Sequence, residues 1–506
     1  MSKPWSAAGL TLAGVCVALA ACGSSGTAAV SQAPTISTRA IPRAATLTAA
    51  AHRSLMSWPE FGLDPQRSDS SEARTGITAA NVSHLHRLQV SLPATVDSSP
   101  IYLHQALVRG ARHDTIVVDG TYGRTMAIDA NSGRILWVYT PPGYDEWAGG
   151  EQITVSSPLA DPDGSHVYSA SPNGLIHKLS LATGQEVTGG GWPARVTLEA
   201  KHEKLGAALN IDGPDLLVAT SGYLGDAPPY QGHVVAIDRA GGAVRAVFNT
   251  LCANRRRLQV PSSCPASDSA ILSRGGPVVE RGGRRILIST GNGPWNGASD
   301  FGDSVLELSF PSLSLLASYT PVDQERLNDS DLDLGSSAPA PLSPTRMEAA
   351  GKDGIVRVLK LGRLNGRSRR DHTLLGGEVQ QLPVPGGGEP FSAPAVWRRA
   401  GRTTMFVGAE HATAAYVLRH GRLYLAWRNA NPGTSPVLAG GLLYVYDPES
   451  GGVNVYRPGS PRPIIKLPGE PGHWNSPIVV DGHVIEPEGD ANAHRTSGTL
   501  DIFSIG

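Results

Sequence analysis

Several short stretches of this chain carry residues whose types and spacing could do chemistry. Asp329, Asp331 and Asp333 alternate, so an extended backbone would put three carboxylates on one face, enough to gather a metal. The alternative is an acidic connection left in solvent. Upstream, Asn292 lies in Gly291-Asn292-Gly293, where Asn suits a turn at positive φ, and Pro294-Trp295-Asn296 follows. Downstream, Lys352-Asp353-Gly354 is hairpin-turn chemistry that also presents a cation. His473-Trp474-Asn475 precedes an apolar strand. It either lines an inner surface, with Trp295 nearby, or packs as an aromatic beside a hydrogen-bonded imidazole. His494 with Glu486 and Glu488 is expected to be solvated. Cys252 and Cys264, twelve positions apart in a Pro- and Arg-containing loop, read as a local disulfide, with a metal pair as the alternative.

Common catalytic signatures are missing. The sequence has no Gly-x-Ser-x-Gly elbow, no phosphate-binding Gly loop before Lys-Ser/Thr, and no His-Glu-x-x-His. Net charge is −1 with no basic stripe, which argues against nucleic acid or anionic lipid as a partner.

The N-terminus reads as an export signal. Lys3 precedes an apolar run from Ala8 to Ala21, too short to span a bilayer, and small residues lead into Cys22. Leu19-Ala20-Ala21-Cys22 resembles a bacterial lipobox, in which Cys22 is lipidated and becomes the mature N-terminus; a plain secretory signal is the alternative. Residues 1–21 are therefore expected to be removed, leaving about 485. Residues 22–52, rich in Ala, Ser and Thr, read as a flexible linker, and 53–506 as the folded body. The expected location is the outer face of a bacterial membrane, held by lipid alone.

The elements that must position these residues are short strands. With 59 Gly, 39 Pro and only 17% charged residues, most apolar segments are too short for helices, which favours an all-β class. A small-residue–Pro step followed by an apolar strand recurs at Pro100, Pro158, Pro277, Pro339, Pro394, Pro436 and Pro477, at intervals of 58, 119, 62, 55, 42 and 41. The interval of 119 hides one repeat, supplied by Ala208 to Ile211 and Leu216 to Val218, which makes eight units. A period near 50 chooses a propeller, because one four-stranded blade takes about 40–50 residues. The expected fold is a single eight-bladed β-propeller of four-stranded antiparallel blades. Leu85 to Leu92 is expected to close the ring against Leu500 to Phe503.

On these residues the chain resembles the eight-bladed quinoprotein propellers, which include pyrroloquinoline quinone (PQQ) alcohol dehydrogenases and non-catalytic relatives. Ala127-Ile128-Asp129 to Gly133 and Trp137 is similar to the family's blade motif, whose outer Trp packs between blades. Thr290-Gly291-Asn292-Gly293-Pro294-Trp295-Asn296, then Asp331-Leu332-Asp333-Leu334-Gly335 and Lys352-Asp353-Gly354, arrive in family order. The resemblance implies Asn292 as a calcium ligand, Asp333 as a base that also reaches the metal, and Lys352 as a cation at the quinone. It implies Asp226 as the replacement for a missing Glu ligand, with Trp295, His473 and Trp474 near the cofactor. The sequence also departs from the family. The position expected to hold a stacking Trp has Leu272, and neither a vicinal cysteine pair nor a haem Cys-x-x-Cys-His is present.

Two functions follow as expectations. One is a lipid-anchored binding or scaffold protein of the cell envelope, similar in arrangement to propeller lipoproteins that assist outer-membrane protein assembly. It would act as a monomer on an envelope protein or a small ligand. The other is a divergent PQQ- and calcium-dependent oxidoreductase acting on an alcohol or sugar.

Overall fold

The computed structural model describes residues 56–505 apart from Leu224. The expected signal, Cys22 and the linker lie outside the described residues. Among the described residues no helix is long and apolar enough to cross a membrane.

Eight four-stranded antiparallel blades form a β-propeller, as the repeat predicts, and the short strand Ser70–Ser71 adds parallel to the innermost strand, Thr434–Ala439, of one of them. Blade 1 begins at Ile101–Val108, blade 2 at Leu159–Ala160, blade 3 at Asn210–Asp212 and blade 4 at Val278–Val279. Blade 5 begins at Ala340–Ser343, blade 6 at Ala395–Arg399, blade 7 at Thr434–Ala439 and blade 8 at Ile478–Val480. In six blades the repeat proline falls immediately before this innermost strand, and in blade 7 Pro436 lies within it. An innermost strand is a sheet edge facing the channel, so a missing N–H there breaks no ladder.

The core lies between the blades. Along Ala111–Asp119, Ile116 and Val118 face one neighbouring blade while Val117 faces the other, and all three are fully buried. Each such side chain contributes roughly 1.5–3 kcal/mol relative to exposure. Trp137 stands between blades 1 and 2, donating from Nε1 to the Leu181 carbonyl at 2.9 Å. A Cβ at Gly184 would meet its ring at 2.7 Å, so only glycine fits beneath it.

Ring closure follows the expected pairing. His86–Leu92 runs antiparallel to Gly498–Ser504, with Arg87 opposite Phe503 and Val90 opposite Leu500. Ahead of it, residues 58–71 thread across the inner strands, bonding by backbone to Tyr102, Ala160, Val279, Val396 and Leu438. Arg67, fully buried in this segment, donates to the carbonyls of Gly275, Leu209 and Phe61 and pairs with Glu60 at 2.9 Å. It thereby plugs the channel with a cation whose hydrogen bonds are met by main-chain oxygens and one carboxylate.

The loop cysteines form a disulfide, Cys252–Cys264, which decides between the two readings of that pair.

Candidate functional site

The connections that lead into the innermost strands converge on one cavity of about 510 Å³ at the channel mouth. That volume is within the usual range for small-molecule sites. A rule in the sequence places much of its wall. At five of the seven repeat prolines the residue three positions earlier lines the cavity, namely Asp97, Val155, Arg274, Phe391 and Trp474; Ser336 and Gly433, at the same offset, do not. The reading of isolated motifs missed Asp97, Arg274 and Phe391; the fixed offset from each proline is the signal that finds them.

Of the residues singled out from sequence, Asp226, Asp333, Lys352, His473 and Trp474 all line this cavity. Asp226 comes from the hairpin of blade 3, and Lys352 from the hairpin turn of blade 5, so the turn and the site coincide. Asn292 touches the site through its backbone, its amide donating to Asp333 Oδ1 at 2.7 Å. The positive φ of that turn falls on Gly293, at 149°, not on Asn292. Trp295 does not join them. It packs against the apolar layer between blades 3 and 4.

Two further expectations are corrected. Asp329, Asp331 and Asp333 do not share an extended face, because Gln324–Asp329 is helical and Asp331 has φ 52°. Only Asp333 is buried, at 4% exposure. Glu486 is not solvated but 1% exposed, and burial raises its carboxyl well above the ordinary range.

Two charged groupings dominate the cavity. In the first, Asp97 Oδ1 accepts from Arg274 Nη2 at 2.9 Å, and Asp97 Oδ2 lies 2.8 Å from His473 Nδ1. Burial works to raise the Asp97 carboxyl, but Arg274 and His473 outweigh it and hold it at about 2. In the second, Lys352 Nζ sits 2.7 Å from Asp333 Oδ2 and 3.5 Å from Asp331 Oδ1. Burial nevertheless leaves Asp333 raised, against the pull of Lys352 and the Asn292 amide. Lys204, which also lines the cavity, has no such ion-pair partner among the described residues. Burial, then repulsion from Arg274, lowers its ammonium to about 8. Beside these groups Trp474 is stacked between Phe391 at 4.3 Å and His473 at 4.5 Å, with the Arg274 guanidinium 5.5 Å from its ring.

These residues do not fit a calcium–quinone pair as arranged. Both oxygens of Asp333 are engaged, one by the Asn292 amide and one by Lys352. Asp226 Oδ1 accepts from the Tyr230 hydroxyl at 2.8 Å. Leu272 lines the wall where a flat stacking ring would be needed. A Ser–His–Glu chain lies elsewhere, but it is sealed and its serine hydroxyl donates to Asn173 Oδ1. Ser171 Oγ lies 2.6 Å from His177 Nε2, and His177 Nδ1 2.5 Å from Glu186, yet Ser171 and His177 are fully buried.

No family model matches the chain, and no curated protein matches its sequence. Solved structures do. A quinohemoprotein alcohol dehydrogenase from Pseudomonas putida HK5 is 13% identical, with a TM-score of 0.63 over 89% of this chain and 80% of that one. A europium-containing methanol dehydrogenase is 14% identical, with a TM-score of 0.63 over 89% of this chain and 98% of the other. BamB from Moraxella catarrhalis is 15% identical, with a TM-score of 0.50 over 83% of this chain and 100% of that one. At such identities the likeness is one of fold. The chain is an eight-bladed propeller of the form found both in quinoprotein dehydrogenases and in BamB.

Proposed function

We propose that this protein is an exported, lipid-anchored propeller of the cell envelope that works by binding, with the channel-mouth cavity as its small-ligand site. The observation that carries this reading is the engagement of Asp333. Asp333, the base that a dehydrogenase reading needs, is instead tied into an ion pair with Lys352 and a hydrogen bond from the Asn292 amide. The apolar run ending at Cys22 supports export and anchoring. An envelope protein is the second expected partner, a role supported by the propeller fold shared with BamB. Replacing Cys22 by Ala should move the chain from the membrane to the soluble fraction.

A second reading, a divergent quinoprotein oxidoreductase for an alcohol or sugar, is favoured by one observation. Asp226, Asp333 and Lys352, three of the residues to which the resemblance assigns roles at the cofactor, line a single cavity. Titration of PQQ with calcium present, followed by tryptophan quenching and thermal shift, separates the two. A binding protein of another ligand gives no saturable response at high micromolar PQQ. Saturable binding that Asp333→Ala weakens would overturn the first reading in favour of the second.

A further inference from the structure

Away from the channel, blades 1 and 8 meet at a second cluster of ligating groups. The innermost strand of blade 1 is bulged between Leu103 and Ala106, and a bulge re-aims the side chains it carries. His104 sits in that bulge. Its Nδ1 lies 3.0 Å from Asp114 Oδ1 and 3.2 Å from Asp481 Oδ2. Asp114 belongs to the second strand of blade 1, and Asp481 to the hairpin turn between Ile478–Val480 and His483–Glu488 of blade 8.

Three observations set this cluster apart from an ordinary His–Asp pair. First, neither contact is an aligned hydrogen bond: among the described residues His104 Nδ1 is buried with no hydrogen-bond partner. Second, Asp481 is 7% exposed, and among the described residues its Oδ1 is also buried without a hydrogen-bond partner. Such an atom costs about 1–3 kcal/mol if nothing meets it. Third, among the described residues neither carboxylate has a Lys or Arg partner. Tyr102 donates its hydroxyl to Asp481 Oδ2 at 3.0 Å, and Gln105 donates its amide to Asp114 Oδ1 at 3.0 Å.

The spacing is close to that of ligands sharing an ion. Two ligands at a tetrahedral angle, each with a bond of about 2.1 Å, stand about 3.4 Å apart, so the observed 3.0 and 3.2 Å need only a few tenths of an ångström of opening to admit the ion. A nitrogen lone pair aimed at an ion between two oxygens points at neither oxygen, which is the misalignment observed. One neutral imidazole and two carboxylates carry the charge that balances a divalent ion. We propose that His104, Asp114 and Asp481 bind a divalent transition-metal ion, with zinc(II) matching the mixed nitrogen and oxygen donors, and that the ion pins blade 1 to blade 8. The side chains of His104 and Asp114 are 22% and 14% exposed, so the ion can enter from solvent and water can complete its shell.

The test is calorimetric titration of zinc(II) into the chelator-treated full chain, without reductant so that Cys252–Cys264 stays oxidised, with thermal unfolding in parallel. One zinc per chain and a raised Tm are expected. His104→Ala and Asp114→Asn should each weaken binding roughly tenfold or more, whereas His420→Ala, on an exposed hairpin, should not. Asp114→Asn keeps the side-chain size and decides the matter if His104→Ala does not fold. Absence of saturable zinc binding, or binding that survives Asp114→Asn unchanged, would overturn the proposal.

Discussion

Lys352 and Asp333 are joined twice, through an ion pair of 2.7 Å and through a backbone bond from the Lys352 amide to the Asp333 carbonyl at 2.9 Å. The turn of blade 5 is thus fixed to the connection that enters it. Lys352→Met removes the cation and leaves a buried carboxylate opposed only by the Asn292 amide. The expected loss is about 3 kcal/mol in urea unfolding, the scale for stripping one partner from a buried pair. It should be larger at pH 8 than at pH 5, because a carboxyl already raised by burial rises further without Lys352. Lys352→Met with Asp333→Asn should recover most of the loss. A single variant as stable as the parent at both pH values would show that the pair does not hold the turn.

Asp97 predicts an acid limit. Its carboxyl is held at about 2 against an ordinary 3.8, so its contribution is complete above 3.8 and is lost as the pH falls through about 2. Integrated over that interval the contribution is about 2 kcal/mol. Asp97→Asn should lower stability at neutral pH, since Arg274 keeps only main-chain acceptors and His473 as partners, and should flatten the dependence between pH 4 and 2. Urea unfolding of both proteins across that range measures the difference. Parallel curves would assign the acid sensitivity to other carboxyls.

The two lysines of the cavity should titrate apart. Burial works to lower Lys352, but Asp333 outweighs it and raises the ammonium, whereas Lys204 is lowered to about 8 by burial and Arg274. Above pH 8 Lys204 loses its charge while Lys352 keeps its own. Reductive methylation with carbon-13, followed by NMR titration, should show one dimethyl-lysine signal moving with a midpoint near 8, absent in Lys204→Met. A midpoint above 10 would mean that solvent reaches Lys204 freely.

The blades were legible in the sequence because each repeats one physical solution: a proline before an edge strand, alternating apolar residues, and a Gly or Asp-Gly turn. Trp137 and the closing strand His86–Leu92 followed from the same pattern. The cavity was only half legible. Asp333 and Lys352 stood in recognisable segments, whereas Asp97 and Arg274 are marked only by their offset from the repeat proline and Lys204 by no motif at all. Their common property is spatial: they end up at the channel mouth because the strands they precede or join are the innermost ones. Trp295 misled for the opposite reason. It is three residues from Asn292, yet a bridge to Phe301 turns it into the layer between blades. The three aspartates looked periodic only while the helix that ends at Asp329 and the left-handed Asp331 were unknown.

Ring closure carries a pH dependence of its own. Arg87, on the closing strand, reaches Asp501 at 2.6 Å and Glu488 at 3.3 Å, and Glu486 lies buried beside them without hydrogen-bond partners. Burial, then the neighbouring Asp501, raises Glu488 to about 7 from an ordinary 4.5. A raised carboxyl gives its full contribution below 4.5 and loses it as the pH climbs through about 7. The seam between His86–Leu92 and Gly498–Ser504 should therefore loosen from pH 6 to pH 8. Arg87→Ala removes the cation that offsets this charge and should steepen the effect. Hydrogen exchange of residues 86–92, corrected for the intrinsic rise of exchange rate with pH, reads the opening of that strand directly. Faster corrected exchange at pH 8, more so in Arg87→Ala, is the expected result. Corrected rates that do not change with pH in either protein would mean that the seam is held by its backbone ladder and apolar layer alone.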